Sequence, residues 1–350
     1  MKLLLLFLSI VGSCSCKDFN GFKGQPKEQS AERSPVVVSD DVKEDSSEIE
    51  VLVDEVLWSS EFKVPKCEVN SQTGQCFVVD PVLDELSGLS SSGKNKGVFW
   101  AHNDGGTASI YGLNLKGEVL ARVDLVGATN LDFEDIALYR KDNKTYLYQG
   151  DIGDKDKEDS AVILYRFEEP AIDITVPMQI ITVENYQRIE LSYDSALGVL
   201  DFESMMIDPL QGDLYLFEKG SHRVFVAAGN LLMSGNASIA MNLVTDKGDW
   251  SETPSGADFS STRREFVIRD ELNAWLYNVT EGEAVSDALK RPGQVLAMAK
   301  EFNGEAIAYG FDGVHLYTAS ENLQGDQEPA DPQPIMMYER VLKIATPQSK

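Results

Sequence analysis

Short runs of alternating apolar and polar residues fill the chain from about Val51 onward. They are rich in Val, Ile, Tyr and Phe and are punctuated by Gly, Asp and Asn, the signature of β-strands joined by tight turns. No segment carries a convincing helical period. About 290 residues of such punctuated strands fit one large all-β domain over 50–347.

The runs repeat as a unit. An acid opens a first apolar run at Glu85, Glu134, Glu203, Asp258 and Glu305, with spacings of 49, 69, 55 and 47 residues. A second run then ends in a polar cluster, as in Val98-Phe-Trp-Ala-His-Asn-Asp104, Tyr146-Leu-Tyr-Gln-Gly-Asp151, Asp213-Leu-Tyr-Leu-Phe-Glu-Lys219, Glu265-Phe-Val-Ile-Arg-Asp270 and Val314-His-Leu-Tyr-Thr-Ala-Ser-Glu321. Third runs start at Ile110, Val162, Arg223, Ala274 and Ile335, and fourth runs at Val119, Arg188, Ile239 and Val295. A four-stranded unit with a period near 50 predicts the blades of a β-propeller. The motif count gives five blades. A sixth stays open, because the 69-residue interval and the Cys67–Cys76 region leave spare chain. The fifth unit lacks a clear fourth run, and Glu50–Trp58 is an orphan strand. It is expected to complete the last blade and close the ring, which would hide free strand edges.

Propeller geometry turns the acids into rings. First strands line the channel, so Glu85, Glu134, Glu203, Asp258 and Glu305 are expected around one mouth. Asp104, Asp151, Glu218, Asp270 and Glu321 would surround them, with His102, Lys219 and Arg269 interspersed. Like charges raise one another's pKa, and a divalent cation is the simplest remedy. Oxygen-only ligands favour Ca²⁺. The expected metal ligands are Glu85, Asp104, Glu134, Asp151, Glu203, Asp258, Glu305 and Glu321. Lys219 and Arg269 would hold an anionic ligand, and His102 and Asp104 are the candidate general bases. The competing reading is that these acids cap turns at blade junctions. No nucleophile elbow or Cys/His pair appears, which argues against covalent catalysis.

The ends add a compartment. Met1–Cys16 has Lys2, an apolar run from Leu3 to Val11 and a small-residue region, as a secretory signal does. Val11-Gly-Ser-Cys14 also has the form of a lipoprotein box, so both secretion and a lipid anchor on Cys14 stay open. Residues 17–49 form a polar tether expected to remain disordered. Eight carboxylates against one lysine crowd residues 40–55, and the whole chain carries a net charge of −26. Such a surface repels nucleic acid and anionic membranes and attracts cations, mineral or matrix. Cys67 and Cys76 are expected to pair in an oxidising compartment. Asn143-Lys-Thr, Asn236-Ala-Ser and Asn278-Val-Thr are glycosylation triplets in a eukaryotic host.

Trp100-Ala-His-Asn-Asp104, Asp132-Phe-Glu-Asp135, Gly150-Asp-Ile-Gly-Asp154, Asp201-Phe-Glu203, Gly256-Ala-Asp258 and Gly304-Glu-Ala306 resemble the blocks of a secreted, mostly bacterial propeller family. More distantly the pattern is similar to calcium-dependent propellers, the β-propeller phytases and lactonase-like hydrolases. That resemblance implies a calcium-lined mouth as the functional site. The dense Lys and Arg complement of the phytases is missing. Two functions follow: an extracellular calcium-binding or matrix propeller, or a calcium-dependent hydrolase of phosphate esters or lactones.

Overall fold

In the first blade, β1 (Leu86–Ser91), β2 (Phe99–Asn103), β3 (Ser109–Leu113) and β4 (Val119–Leu125) pair antiparallel in sequence order. Each connection is a short loop, so strands adjacent in sequence become adjacent in space. The computed structural model describes residues 62–153, 161–176, 178–246, 248, 250, 253–296, 298–299, 301, 303–322 and 333–341. The expected signal, the tether and Glu50–Trp58 lie outside them, as do Asp154 and the charge run after it.

The second blade is β5 (Phe133–Lys141), β6 (Lys144–Asp151), β7 (Ala161–Glu168) and β9 (Gln187–Ser192). The third is β10 (Phe202–Ile207), β11 (Leu214–Glu218), β12 (Val224–Ala227) and β14 (Asn242–Thr245). The fourth is β15 (Gly256–Phe259), β16 (Glu265–Arg269), β17 (Ala274–Asn278) and β18 (Gln294–Leu296). The fifth holds β19 (Gly304–Tyr309), β20 (Leu316–Ser320) and β21 (Met336–Tyr338). The chain is thus a five-bladed β-propeller. Its described helices include two single turns, α1 (Gly229–Leu232) and α2 (Val285–Ala288). Among the described residues no helix is long and apolar enough to cross a membrane.

The spare chain builds edges instead of a sixth blade. Within the long 69-residue interval, β8 (Gln179–Val183) adds to the first blade in parallel with β4. The run at Ile239 does not complete its own blade. As β13 (Ser238–Ala240) it pairs in parallel with β9 of the preceding blade, and the neighbouring run β14 takes the fourth place in the third blade. Both runs are short, and only tertiary pairing separates them. Cys67 and Cys76 form a disulfide with a Cα–Cα separation of 5.7 Å.

Among the described residues the core forms five apolar clusters, each between two neighbouring sheets. One joins Leu86, Phe99 and Tyr111 of the first blade to Ala306, Ala308 and Ala319 of the fifth, so the ring closes. Another joins Trp100, Ile110 and Val123 to Phe133, Ile136 and Leu147. Inner strands are therefore covered on both faces, and β10 and β11 are buried along their whole length. Each buried Leu, Ile or Phe contributes about 1.5–3 kcal/mol.

The N-terminal segment supplies the missing edge of the fifth blade. Phe62 bridges Arg340 and Lys66 bridges Met337. Lys63 N donates to Glu339 O at 2.9 Å and Met337 N to Lys66 O at 2.8 Å. Beside this seam Arg340 pairs with the buried Glu265, which also forms an ion pair with Arg263 Nε at 3.1 Å, and the Arg340 guanidinium lies over the Phe62 ring. The last blade is thereby fastened to the fourth and to the N-terminal segment together.

Candidate acidic mouth of the channel

Glu134, Glu203 and Glu305 occupy the same special place. Each is the extra residue of a β-bulge near the start of its blade's first strand. The register slips between Phe133 and Asp135, between Phe202 and Ser204, and between Gly304 and Ala306. A bulge re-aims one side chain that strict alternation would send elsewhere. Here it brings three glutamates to one mouth. Around them opens a cavity of about 330 Å³ lined by Glu85, Asp104, Asp132, Glu134, Asp201, Glu203, Glu305 and Glu321, with Lys219 as the one basic lining side chain among the described residues.

The flanking loops fix the rest of the wall. Asp132 N donates to the buried Asp151 Oδ1 at 3.0 Å, and Asp132 O accepts from Ile152 N at 3.1 Å. Lys219 N donates to Asp201 O at 2.8 Å, and its Nζ reaches Glu203 Oε1 at 2.5 Å and Asp201 Oδ2 at 3.6 Å. Asp104 N donates to Glu85 O, and Asn103 Nδ2 donates to Val82 O. Asn303 Nδ2 donates to Glu321. Oxygens of Asp132, Glu134 and Asp201 lie within 4.8 Å of one another. Gly153 stands against this trio, where a Cβ would come within 2.5 Å of Glu134 Oε1 and closer still to Asp132.

The electrostatics follow from crowding. Burial, then Glu203, Asp132, Glu305 and Asp201, hold the Glu134 carboxyl well above its ordinary range. Burial pushes Glu305 to about 8, with Glu203 and Glu321 adding and Arg269 opposing. Burial also lifts Glu203 to about 7 even though Lys219 opposes it. Burial pulls the Lys219 ammonium down, but Glu203 and Asp201 overcome this and raise it above its ordinary value.

The residues singled out in the sequence fall into two groups. Glu85, Asp104, Glu134, Glu203, Glu305, Glu321 and Lys219 meet at the cavity. The others lie elsewhere. Asp151 is buried behind Asp132. Glu218 caps its own turn through Gly220 N and Ser221 N, and Asp270 caps Leu272 N and Asn273 N. Arg269 is buried between the fourth and fifth blades, where Nη1 reaches Glu301 Oε2 at 2.9 Å and Ala306 O at 3.1 Å. His102 is fully buried beside Phe133, and burial lowers it to about 4. Asp258 accepts from Phe259 N and Tyr309 N and lines a separate cavity of about 160 Å³ with Leu138, Ile207 and Tyr309. No bulge occurs between β15 and β16, so Asp258 does not share the glutamates' position. In the first blade Ser87 lies in the bulged stretch, and its Oγ donates to Glu134 O.

Asp132 and Asp201 complete the mouth without having been singled out as ligands. Their signal was present in the twofold Asp-Phe-Glu at Asp132 and Asp201. In the ladder pair next to the mouth-side end of the first strand, Asp135, Ser204, Ala257 and Ala306 take matching places in the second to fifth blades, and Gly88 lies within the slip of the first blade. The Asp135 carboxylate accepts from Ile136 N at 2.7 Å and from Met205 N at 2.9 Å in the next blade. Burial raises its pKa well above the usual range, and the backbone N–H groups of Met205, Ile136 and Ala257 work against the rise. Small residues around the axis thus leave room for one carboxyl beneath the mouth.

No known family matches the chain, and no curated protein matches it. Among solved structures it is similar to a luciferin-regenerating enzyme, with a TM-score of 0.41 and 9% identity over 79% of this chain and 95% of that one. It is also similar to a chain of a mitotic checkpoint complex, with a TM-score of 0.32 and 12% identity over 73% of this chain and 63% of that one. What characterises the chain is its own architecture, a five-bladed β-propeller with a carboxylate-lined mouth.

Proposed function

We propose that this chain is an exported propeller that binds a divalent cation, Ca²⁺ before others, at its acidic mouth and acts as an extracellular or envelope binding protein. The observation that carries this reading is the convergence of Asp132, Glu134 and Asp201 oxygens within 4.8 Å, inside a cavity walled by five further carboxylates and one lysine. At an effective dielectric of about 20, two ionised carboxylates at that separation repel by roughly 3 kcal/mol. A doubly charged ion replaces this repulsion by attraction. Among the described residues the lining holds no His or Cys, so its donors are hard oxygens, which suit Ca²⁺ better than a transition metal. The Cys67–Cys76 disulfide and the apolar N-terminal run support export.

Lys219 favours a second reading. It is a cation in the same cavity, and a bound metal opposite it would hold an anionic ligand between two positive charges. A phosphate ester or a lactone carbonyl so placed would be polarised by the metal. The two readings separate in one experiment. The full chain is titrated with Ca²⁺ by calorimetry, melted with and without chelator, and then assayed on phosphate esters and lactones with Ca²⁺ present. A calcium-dependent rise in melting temperature without turnover supports binding. Turnover that is lost in Glu203→Ala, with folding intact, supports hydrolysis. Absence of both heat and stabilisation would refute the cation reading.

A further inference from the structure

Three glycosylation triplets, Asn143-Lys-Thr145, Asn236-Ala-Ser238 and Asn278-Val-Thr280, play no part in the mouth. All three asparagines are exposed. Among the described residues none of their side-chain amides donates a hydrogen bond. This sets them apart from Asn95, Asn103, Asn130 and Asn322, whose amides are tied to Pro170 O, Val82 O, Asn103 O and Leu83 O. An acceptor asparagine must offer its amide nitrogen to an enzyme, so a free, exposed amide is the first requirement.

Topology puts the three at one end. The strand β5 leaves the mouth at Glu134 and turns back at Asp142 and Asn143, both with positive φ, at the tip of the hairpin with β6. That tip lies roughly 25 Å along the strand from Glu134. The strand β16 runs toward Arg269 on the mouth side, so its partner β17 ends on the opposite side at Asn278. Asn236 precedes β13, whose parallel partner β9 begins at that same far end, and Asn236 O accepts from Gln187 Nε2 at 2.8 Å. Of the hydroxyl residues, Thr280 donates its Oγ1 to Glu283 Oε2 at 2.9 Å at the surface. Ser238 and Thr280 are exposed, and Thr145 is partly so.

We infer that Asn143, Asn236 and Asn278 are N-glycosylated, and that the glycans all project from the end of the propeller opposite the acidic mouth. In each transfer the asparagine Nδ2 forms a bond to the anomeric carbon of a polyprenyl-diphosphate oligosaccharide. The bond from that carbon to the diphosphate oxygen breaks, the polyprenyl diphosphate leaves with the electron pair, and the amide gives up one proton. This inference rests on export through a compartment holding that donor and does not depend on cation binding.

The test uses the protein isolated from its own organism. Glycans are released enzymatically in heavy-oxygen water, which converts each modified Asn to a heavy-oxygen Asp, and the peptides are read by mass spectrometry. All three sites are expected to carry the mark. In the same host, Thr145→Ala, Ser238→Ala and Thr280→Ala are each expected to remove one glycan step from the mass of the secreted protein. An unmarked Asn143, Asn236 or Asn278 in otherwise mature protein overturns the three-site assignment, and three unmarked sites overturn the glycoprotein reading. A variant that fails to be secreted is replaced by Asn→Gln at the same site, read by the same mass step.

Discussion

The acidic mouth makes the stability of the cation-free protein depend on pH in an unusual direction. Glu203 and Glu305 are held near 7 and 8 against an ordinary 4.5. A carboxyl raised on folding stabilises the fold in its protonated form. That contribution is complete below the unfolded value near 4.5 and disappears as pH climbs through 7 and 8. His102 works the other way. Its pKa is lowered to about 4, so its contribution is lost only as pH falls below 6.5. The interval from pH 6.5 to 8.5 therefore isolates the carboxyls. Glu305 still holds its proton over most of that interval while its unfolded form does not, at about 1.4 kcal/mol per pH unit. With smaller parts from Glu203 and Asp258, and further loss from Glu134 and Asp135, which burial also holds well above the ordinary range, chelator-treated protein should lose at least roughly 2–3 kcal/mol between pH 6.5 and 8.5. At about 2–4 °C per kcal/mol for a domain of this size, the melting temperature should fall by roughly 5–10 °C. Circular dichroism melts in chelator and in excess Ca²⁺ check this. Under the proposed function Ca²⁺ would bind the ionised form, so its stabilisation should grow with pH and flatten the slope. Glu305→Gln should remove much of the slope in chelator. A flat chelator curve, or an unchanged slope in Glu305→Gln, would show that the mouth is not electrostatically strained.

Three further outcomes test other parts of the structure. Glu265→Gln leaves the buried Arg340 and the partly buried Arg263 facing a neutral amide and should destabilise by about 3–5 kcal/mol, read as a lower urea midpoint with an unchanged slope. Gly153→Ala sets a methyl against Asp132 and Glu134, and should weaken Ca²⁺ binding by calorimetry about tenfold or more while the fold persists by circular dichroism. Gly88→Ala would bring a Cβ within 2.9 Å of Ile136 N and against the His102 ring, and should cost about 1–3 kcal/mol in denaturant melts.

The blades were legible because the repeat encodes them. Each unit's runs are separated by turn residues, and the five acids mark their starts. The strand that joins another blade was not legible. Ile239 and Leu243 sit in neighbouring runs of similar composition, and only the pairing of β13 with β9 decides between them. The mouth was legible where the bulge recurs, at Glu134, Glu203 and Glu305. It failed at Asp258, since the presence or absence of one inserted residue changes which way every later side chain points. A bulge leaves no composition signal, so Asp258 and Glu305 look alike as letters. His102 and Arg269 carry chemistry-bearing side chains, yet both are buried at blade contacts, which no local pattern reveals.

The seam between the N-terminal segment and β21 bears on how the molecule is made. Lys63 and Glu339 pair across a sequence separation of 276 residues. A contact that distant closes late, because the intervening chain must first be ordered. During synthesis the first four blades can therefore stack in order while both open ends of the arc still show unpaired strand edges. Phe62 and Lys66 have to wait for Met337 and Arg340, the last described strand of the chain, before the ring is sealed. The acidic mouth is subject to the same timing, since Glu305 joins Glu134 and Glu203 only when the fifth blade is in place.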